Sequence, residues 1–170
     1  NNTTTQNGGG IYSANWRGVT LNGGQVSNNQ AGALGGGVYI KNVNVTSNPL
    51  DEEVLTVASG VEICGNSAGT NGGGIAISGA VTTNVAAGAA LYNNTAVSMG
   101  DDVYQGDSGG ALTLPQTSQM SGKLRLASDG YGITGWYYDG YENSSTRHRW
   151  GAAISKLVVD YDENGEATGY

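Results

Sequence analysis

Short runs of alternating apolar and polar residues recur through the first 115 residues, and Gly, Asn and Ser separate them. A clear example is the stretch 61–85, where apolar side chains alternate over 61–63 and 75–77 and return at 81 and 85. A period of two over such short runs predicts β-strands, and no stretch has the spacing of an amphipathic helix. The pattern therefore predicts an all-β chain with three short strands in each repeat.

A longer repeat is superimposed on this alternation. It consists of an Asn, a small residue two positions later, a Gly-led triplet that starts six positions after the Asn, and an Ile or Val three positions further on. Its copies start at Asn2, Asn29, Asn66 and Asn94, with steps of 27, 37 and 28 residues between them. A constant unit with variable excursions indicates a solenoid. Because such short strands are unstable alone, we expect them to stack about 4.8 Å apart as a right-handed parallel β-helix of about four coils.

The repeated Asn has a predicted structural role. Asn29, Asn66 and Asn94 stand at the same distance before the Gly-led triplet. We expect them at an inward bend, where stacked side-chain amides satisfy one another and the backbone of the turn.

The 37-residue step holds an insertion near residues 47–57 that includes the acidic run Asp51, Glu52 and Glu53. We expect it to bulge out between the third strand of one coil and the first strand of the next. A solvated excursion is the favoured interpretation, and a functional loop on a rigid scaffold is the alternative.

Residues 116–170 differ from the repeats of residues 1–115. They hold eight of the 13 aromatic and five of the seven basic residues. We interpret this segment as a C-terminal β cap that covers the open end of the solenoid, since an open end exposes unpaired strand groups. The alternative is a carbohydrate-binding platform, because exposed aromatic rings can stack on sugars. The candidate binding residues are Trp136, Tyr137, Tyr138, Tyr141 and Trp150.

Within the tail, Asp160, Asp162, Asn164 and Gly165 match the first half of an EF-hand loop. The acidic residue needed at the twelfth position would fall after the last residue, and the flanking segments have the alternation of strands. An Asn-Gly turn between alternating segments predicts a β-hairpin instead, and we expect no metal ion or cofactor.

Composition restricts the partners. The net charge of −7 argues against nucleic acid, and no apolar run approaches the roughly 20 residues of a membrane-spanning helix. Thirty Gly with only two Pro exclude collagen. The single cysteine, Cys64, lies in an apolar strand and is interpreted as a packed residue rather than a reactive thiol.

Catalysis has one candidate, the adjacent pair Asp101 and Asp102, because polysaccharide hydrolases use two carboxylates as acid and base. The pair fills the positions of Gly-Gly in the last repeat, so a degenerate terminal repeat explains it better. The helical portion offers only Arg17 and Lys41 as bases, and a regular Thr ladder for ice binding is missing from the position after the Asn. We therefore predict that the chain is not an enzyme.

The Asn-x-Ala and Gly-Gly-Gly pattern at residues 29–38 and 66–75 resembles repeats of polymorphic outer-membrane proteins and of adhesin-like β-helix proteins of bacteria. Residues 94–104, with the following Leu-Thr-Leu-Pro, are similar to the closing module of large gut-bacterial surface proteins. The resemblance implies a secreted or cell-surface scaffold that binds a host protein or glycan. Because the chain opens at a ladder Asn, we expect further solenoid on its N-terminal side. A truncated or degenerate β-helix polysaccharide hydrolase or lyase is the alternative.

Overall fold

The structure, a computed structural model, describes residues 1–14, 18–42, 53–106 and 110–115, together with four strands of the tail at 133–138, 148–154, 160–161 and 167–169. All regular elements in these residues are β-strands, which we number β1–β19 in chain order. They form four larger sheets and one two-stranded sheet.

Each of the four larger sheets takes equivalent strands from successive repeats, and these strands are parallel. Sheet A contains β1 (Thr3–Thr4), β5 (Gln30–Ala31), β9 (Ser67–Ala68) and β13 (Thr95–Ala96). Sheet B contains β2 (Ile11–Ala14), β6 (Val38–Asn42), β10 (Ile75–Gly79) and β14 (Val103–Gln105). Sheet C contains β3 (Gly18–Leu21), β7 (Glu53–Val57), β11 (Val81–Val85) and β15 (Leu112–Thr113). Sheet D contains β4 (Gly24–Ser27), β8 (Val61–Cys64) and β12 (Ala90–Tyr92). Parallel strands in stacked sheets are compatible with a parallel β-helix or another solenoid.

The sequence pattern predicts three strands per repeat, whereas the third repeat forms four. The additional strand is β9, which pairs with β5 on one side and with β13 on the other. It has only two residues, of which Ala68 is buried and Ser67 is half-buried. Because this strand has only one small inward side chain, it shows no alternation of apolar and polar residues in the sequence, and the apolar pattern does not predict it.

The insertion does not lie where the sequence placed it. Residues 53–57 form β7, which pairs with both β3 and β11 in the middle of sheet C. Glu53, Leu55 and Val57 are buried and alternate with half-buried residues. The prediction of an outward bulge that includes 53–57 is therefore wrong. The insertion follows β6 and precedes β7, and Asp51 and Glu52 lie outside the described residues.

The core consists of apolar side chains that point inward from sheets B, C and D. Equivalent residues stack on one another, as when Ile75 pairs with Val38 on one side and with Val103 on the other. All three are completely buried. Full burial of a Val or Ile side chain contributes roughly 1.5–3 kcal/mol, so each coil stabilises its neighbours through like-on-like contacts.

Two strands of the tail extend sheet B. β17 (His148–Ile154) pairs antiparallel with β14, and β16 (Ile133–Tyr138) pairs antiparallel with β17. The two-stranded sheet is formed by β18 (Asp160–Tyr161) and β19 (Ala167–Gly169), which are also antiparallel. Asp162, Asn164 and Gly165, which belong to the calcium-loop candidate, lie outside the described residues.

Candidate functional site

A continuous row of Asn side chains crosses the stacked repeats. The backbone N–H and the side-chain Nδ2 of Asn2 both donate to Oδ1 of Asn29, at 3.0 and 3.2 Å. Asn29 donates in the same way to Asn66, with both distances 3.0 Å, and Asn66 donates to Asn94 at 3.0 and 2.9 Å. Asn29, Asn66 and Asn94 are buried. The row has one direction, because every coil donates to the coil that follows it.

The row also ties sheet D to the turn. Nδ2 of Asn66 donates to the carbonyl oxygen of Val26, and Nδ2 of Asn94 donates to that of Ile63, both at 2.9 Å. The amides of Asn66 and Asn94 thus satisfy the backbone of the preceding repeat as well as the next side chain of the row, which is Asn94 for Asn66 and Asp102 for Asn94. Since buried polar groups are costly when unpaired, these contacts fix the register of the turn.

The acidic pair ends this row. Nδ2 of Asn94 donates to Oδ1 of Asp102 at 2.7 Å, and the backbone N–H of Ala96 donates to Oδ1 of Asp101 at 2.6 Å. Asp102 is buried, with 4% of its surface exposed. The two carboxylates therefore accept hydrogen bonds from two different groups of the same turn.

The Gly-led triplet explains why this pair occurs only in the last repeat. In the third repeat, the first glycine, Gly72, has a φ of +68°, a region that favours glycine. A Cβ on the second, Gly73, would meet the backbone oxygens of Thr95 and Asp101 in the following coil. Gly100 keeps the positive φ, at +68°. Asp101 and Asp102 occupy the two positions that hold glycine in the earlier repeats. In those repeats the backbone of the following repeat leaves no room for a side chain.

A second buried carboxylate lies inside the coil. Glu53 is 1% exposed, and its Oε1 accepts a hydrogen bond from the hydroxyl of Ser13 at 2.8 Å. Among the described residues, its Oε2 has no hydrogen-bond partner. The sequence interpretation assigned Glu53 to a solvated acidic run and did not single out Ser13. Alignment of residues 53–57 with 81–85 would have placed Glu53 opposite Val81, at an inward position.

The outer face of sheet D carries a set of hydrogen-bonded side chains, in which the hydroxyl of Ser27 also donates to Gln25 at 3.0 Å. Nε2 of Gln25 donates to Glu62 at 3.0 Å and to Sγ of Cys64 at 3.3 Å, while the hydroxyl of Tyr92 donates to Glu62 at 3.2 Å. Burial raises the pKa of the Tyr92 hydroxyl well above its ordinary value, and the interactions with Cys64 and Glu62 raise it further. Cys64 is itself buried. The thiol thus belongs to a polar network that the single-cysteine argument did not anticipate.

The outer face of sheet C is polar but uncharged. The strand register places Thr20 beside Thr56, Thr56 beside Asn84, and Asn84 beside Thr113. The neighbouring row on the same face contains Gly18, Val54 and Thr82. Thr20 and Thr113 are exposed, and Thr56 and Asn84 are half-exposed. We call these two rows the neutral face. This row lies on β3, β7, β11 and β15, away from the position after the Asn, so the repeat around the Asn does not reveal it.

The aromatic residues of the tail are located only by their strand register. Trp150 pairs with Val103 on β14 and with Tyr138 on β16, and Trp136 pairs with Ala152. Tyr137 pairs with Gly151. Tyr141 lies outside the described residues. Four of the five candidate aromatic residues are thus in the two strands that extend sheet B.

In the part of the chain that the structure describes, no group of three or more His, Cys, Asp or Glu is placed to hold a metal ion. No helix in that part of the chain is long and apolar enough to cross a membrane.

Comparisons with known proteins found no matching family model, no matching curated protein and no matching solved structure.

Proposed function

We propose that this chain is a right-handed parallel β-helix of about four coils from an extracellular, adhesin-like bacterial surface protein, in which it acts as a non-enzymatic scaffold that binds a glycan. The single observation that carries this proposal is one row of the neutral face, in which Thr20, Thr56, Asn84 and Thr113 place hydroxyl and amide groups side by side on parallel strands. Regular spacing suits a ligand that itself repeats, and a polysaccharide chain is such a ligand.

The size and charge of the neutral face favour a glycan over a host protein. The strands of sheet C have at most five residues, so four strands about 4.8 Å apart with about 3.3 Å per residue span at most roughly 300 Å². A stable protein complex buries about 800 Å² on each partner, so this face alone is too small for one. Neither row contains an ionisable side chain, which suits an uncharged, hydroxyl-rich partner.

The contacts of the acidic groups support a non-enzymatic role. Asp101 and Asp102 accept hydrogen bonds from the turn of the last repeat, and Glu53 accepts one from Ser13 inside the coil. Acid–base catalysis on a glycosidic bond requires two carboxylates on opposite sides of that bond. Carboxylates used to complete the fold are not arranged for this purpose.

A glycan array tests the proposal, with the intact chain as the probe. We expect binding to a neutral polysaccharide and loss of binding when Thr56→Glu and Asn84→Glu place two charges on the neutral face. The matched control is Ser67→Glu with Thr95→Glu, because these residues are also register partners on an outer face, that of sheet A. Absence of glycan binding by the unmodified chain would refute the proposal. Equal loss in both double variants would locate the binding site elsewhere.

The same array separates the neutral face from the aromatic tail. Tyr137→Ala changes a candidate residue of the tail without touching sheet C. If binding falls only with Tyr137→Ala, the aromatic residues carry the interaction and the assignment to sheet C is wrong.

The alternative, a degenerate polysaccharide hydrolase or lyase, is favoured only by the adjacent pair with its buried Asp102. Incubation with pectin, alginate, hyaluronan and mucin glycans, followed by assays for reducing ends and unsaturated products, tests it. We expect no turnover. Turnover that disappears with Asp102→Asn would establish the enzyme and overturn the scaffold.

A further inference from the structure

Among the residues that the structure describes, Glu53 is the most deeply buried charged side chain. It is the first residue of β7 and points inward from sheet C, as Leu55 and Val57 do. Its register partner in the next repeat is Val81, whose side chain offers no polar group. Removing a carboxylate from water costs a large free energy unless a charge or several hydrogen bonds replace the water.

The described part of the chain provides one hydrogen bond to this carboxylate. Oε1 accepts from the hydroxyl of Ser13 at 2.8 Å, whereas Oε2 has no hydrogen-bond partner there. No basic side chain in the same part of the chain is hydrogen-bonded to Glu53. A proton on the carboxyl would remove the charge but would still leave Oε2 without a partner. A positively charged group in contact with Oε2 would compensate the charge and complete the contacts together.

Ser13 adds a third oxygen at the same place. It lies in β2, in sheet B of the first repeat, and is itself buried with 6% of its surface exposed. Its hydroxyl proton is donated to Oε1, which leaves the lone pairs of Oγ available as ligands. Carboxylate and hydroxyl oxygens are hard ligands, and they suit hard cations rather than the soft metals that thiolates select. The two side chains thus form an oxygen-lined cation site inside the stack.

The charge of this cluster selects the class of cation. Within the described residues Glu53 is its one carboxylate, and the described residues contain no group of three or more His, Cys, Asp or Glu placed to hold a metal ion. Ca²⁺ sites usually combine several charged oxygen ligands. One carboxylate balances one positive charge, and backbone carbonyls and water are common further ligands of hard cations. A monovalent ion therefore fits the site better than a divalent one.

We propose that Glu53 and Ser13 bind an alkali-metal cation, Na⁺ or K⁺, through both oxygens of the carboxylate and Oγ of the hydroxyl. The ion bridges β2 of the first repeat and β7 of the second. Because β7 is the first strand after the insertion, the bound ion fixes the point at which the chain returns to the stack. The site shares no residue with the neutral face, so it is a second binding site beside the proposed glycan surface.

Exchange of the salt tests the site in the unmodified chain. Thermal melts are compared in NaCl, KCl and choline chloride at equal concentration, so that screening of exposed charges is the same in all three. A ligand that binds the folded state stabilises it by mass action, so we expect Tm to be several degrees higher in NaCl or KCl than in choline chloride. The difference should grow with salt concentration. Equal Tm in the three salts would overturn the site.

Two matched variants locate the ion. Glu53→Gln keeps the shape of the side chain but removes its charge, and it should abolish the difference in Tm between the salts. Glu62→Gln removes the same charge from the outer face of sheet D and should retain the difference. Sodium NMR linewidths measure binding directly, and only Glu53→Gln should lose the broadening. A Glu53→Gln chain that keeps the full difference in Tm would show that the ion binds elsewhere.

The remaining two variants test the ligands and the source of the charge. Ser13→Ala should need a higher NaCl concentration for the same rise in Tm, and an unchanged concentration would exclude Oγ as a ligand. Arg17 directly precedes β3 in the sequence and lies outside the described residues. Arg17→Gln should show the same difference between the salts as the unmodified chain. A difference that arises only in Arg17→Gln would make this side chain the counter-charge of Glu53 and overturn the cation site.

Discussion

At the scale of single residues, Asn suits the ladder because its amide combines one strong acceptor with two donors on the same planar group. Oδ1 of Asn94 receives two donors from Asn66, and Nδ2 of Asn94 donates both to Ile63 and to Asp102. An Asp in mid-row would lack the donors. The constant spacing from Asn to Gly in the sequence therefore reflects a requirement of hydrogen bonding.

Replacement of Asn66 by Ala should lower the free energy of unfolding by about 1–3 kcal/mol, because it leaves buried donors of Asn29 and the carbonyl of Val26 without their partner. Chemical denaturation followed by circular dichroism measures the loss. Thr70→Ala is the control, since Thr70 is exposed in the same turn region and should change stability little. Equal stability of the two variants would show that the row contributes nothing.

Tyr92 gives the molecule a pH dependence at the alkaline end. Because the pKa of its hydroxyl is raised in the folded chain, the folded state holds this proton more tightly than the unfolded state. Stability should be fully retained below the ordinary tyrosine pKa of about 10 and should fall as the pH rises above it. Thermal unfolding at a series of alkaline pH values tests this, and Tyr92→Phe should reduce the slope of stability against pH. If stability falls with pH at the same slope in Tyr92→Phe, other groups cause the effect.

At the scale of elements, apolar alternation in the sequence predicts the strands of sheets B, C and D in the third repeat, since each places two or more apolar residues inward. It does not predict sheet A, whose strands have two residues each. It also misplaces β7, because Asp51, Glu52 and Glu53 look like a surface run. Glu53 nevertheless occupies an inward position and is buried. Charge at one residue thus concealed a strand that Leu55 and Val57 mark clearly.

The neutral face shows a different limit of the sequence. Which outward residues become neighbours depends on the strand register across coils, and the 37-residue step contains an insertion of unequal length. Only pairing of Thr56 with Thr20 and Asn84 establishes the row. The constant spacing around the Asn therefore predicts that the repeats stack. It does not predict which outward side chains become neighbours in the strands far from the Asn, such as those of sheet C.

Because neighbouring repeats approach closely, the middle glycine of the triplet has no room for a larger side chain. We expect Gly73→Ala to destabilise the chain by at least about 1–3 kcal/mol, because the new Cβ would stand 2.6 Å from the carbonyl oxygen of Asp101 and against that of Thr95. The control is Gly23→Ala, where an added Cβ has open space. Thermal melts of both variants provide the comparison. A Gly73→Ala chain as stable as the control would mean that the coils can separate without cost.

At the scale of the whole molecule, the two ends of the stack are unequal. The N-terminal end has four edge strands and half-buried apolar residues, whereas at the other end the Asn row finishes on Asp102 and β17 pairs with β14. In the sequence, Asp101 and Asp102 stand where earlier repeats have Gly-Gly, and the composition changes after residue 115.

Removal of residues 116–170 should expose the edge of β14 and cause self-association, since an uncovered strand edge pairs with other chains. Sedimentation at several concentrations, together with thermal melts, compares the 1–115 fragment with the full chain. Both proteins retain the N-terminal edge, so any difference between them belongs to the C-terminal end. We also predict that Trp136 or Trp150 covers the open end of the stack, which Trp150→Ala in the full chain tests by the same measurement. A fragment that remains monomeric and melts at the temperature of the full chain would show that the tail does not cap the stack, and it would shift the tail toward an independent binding role.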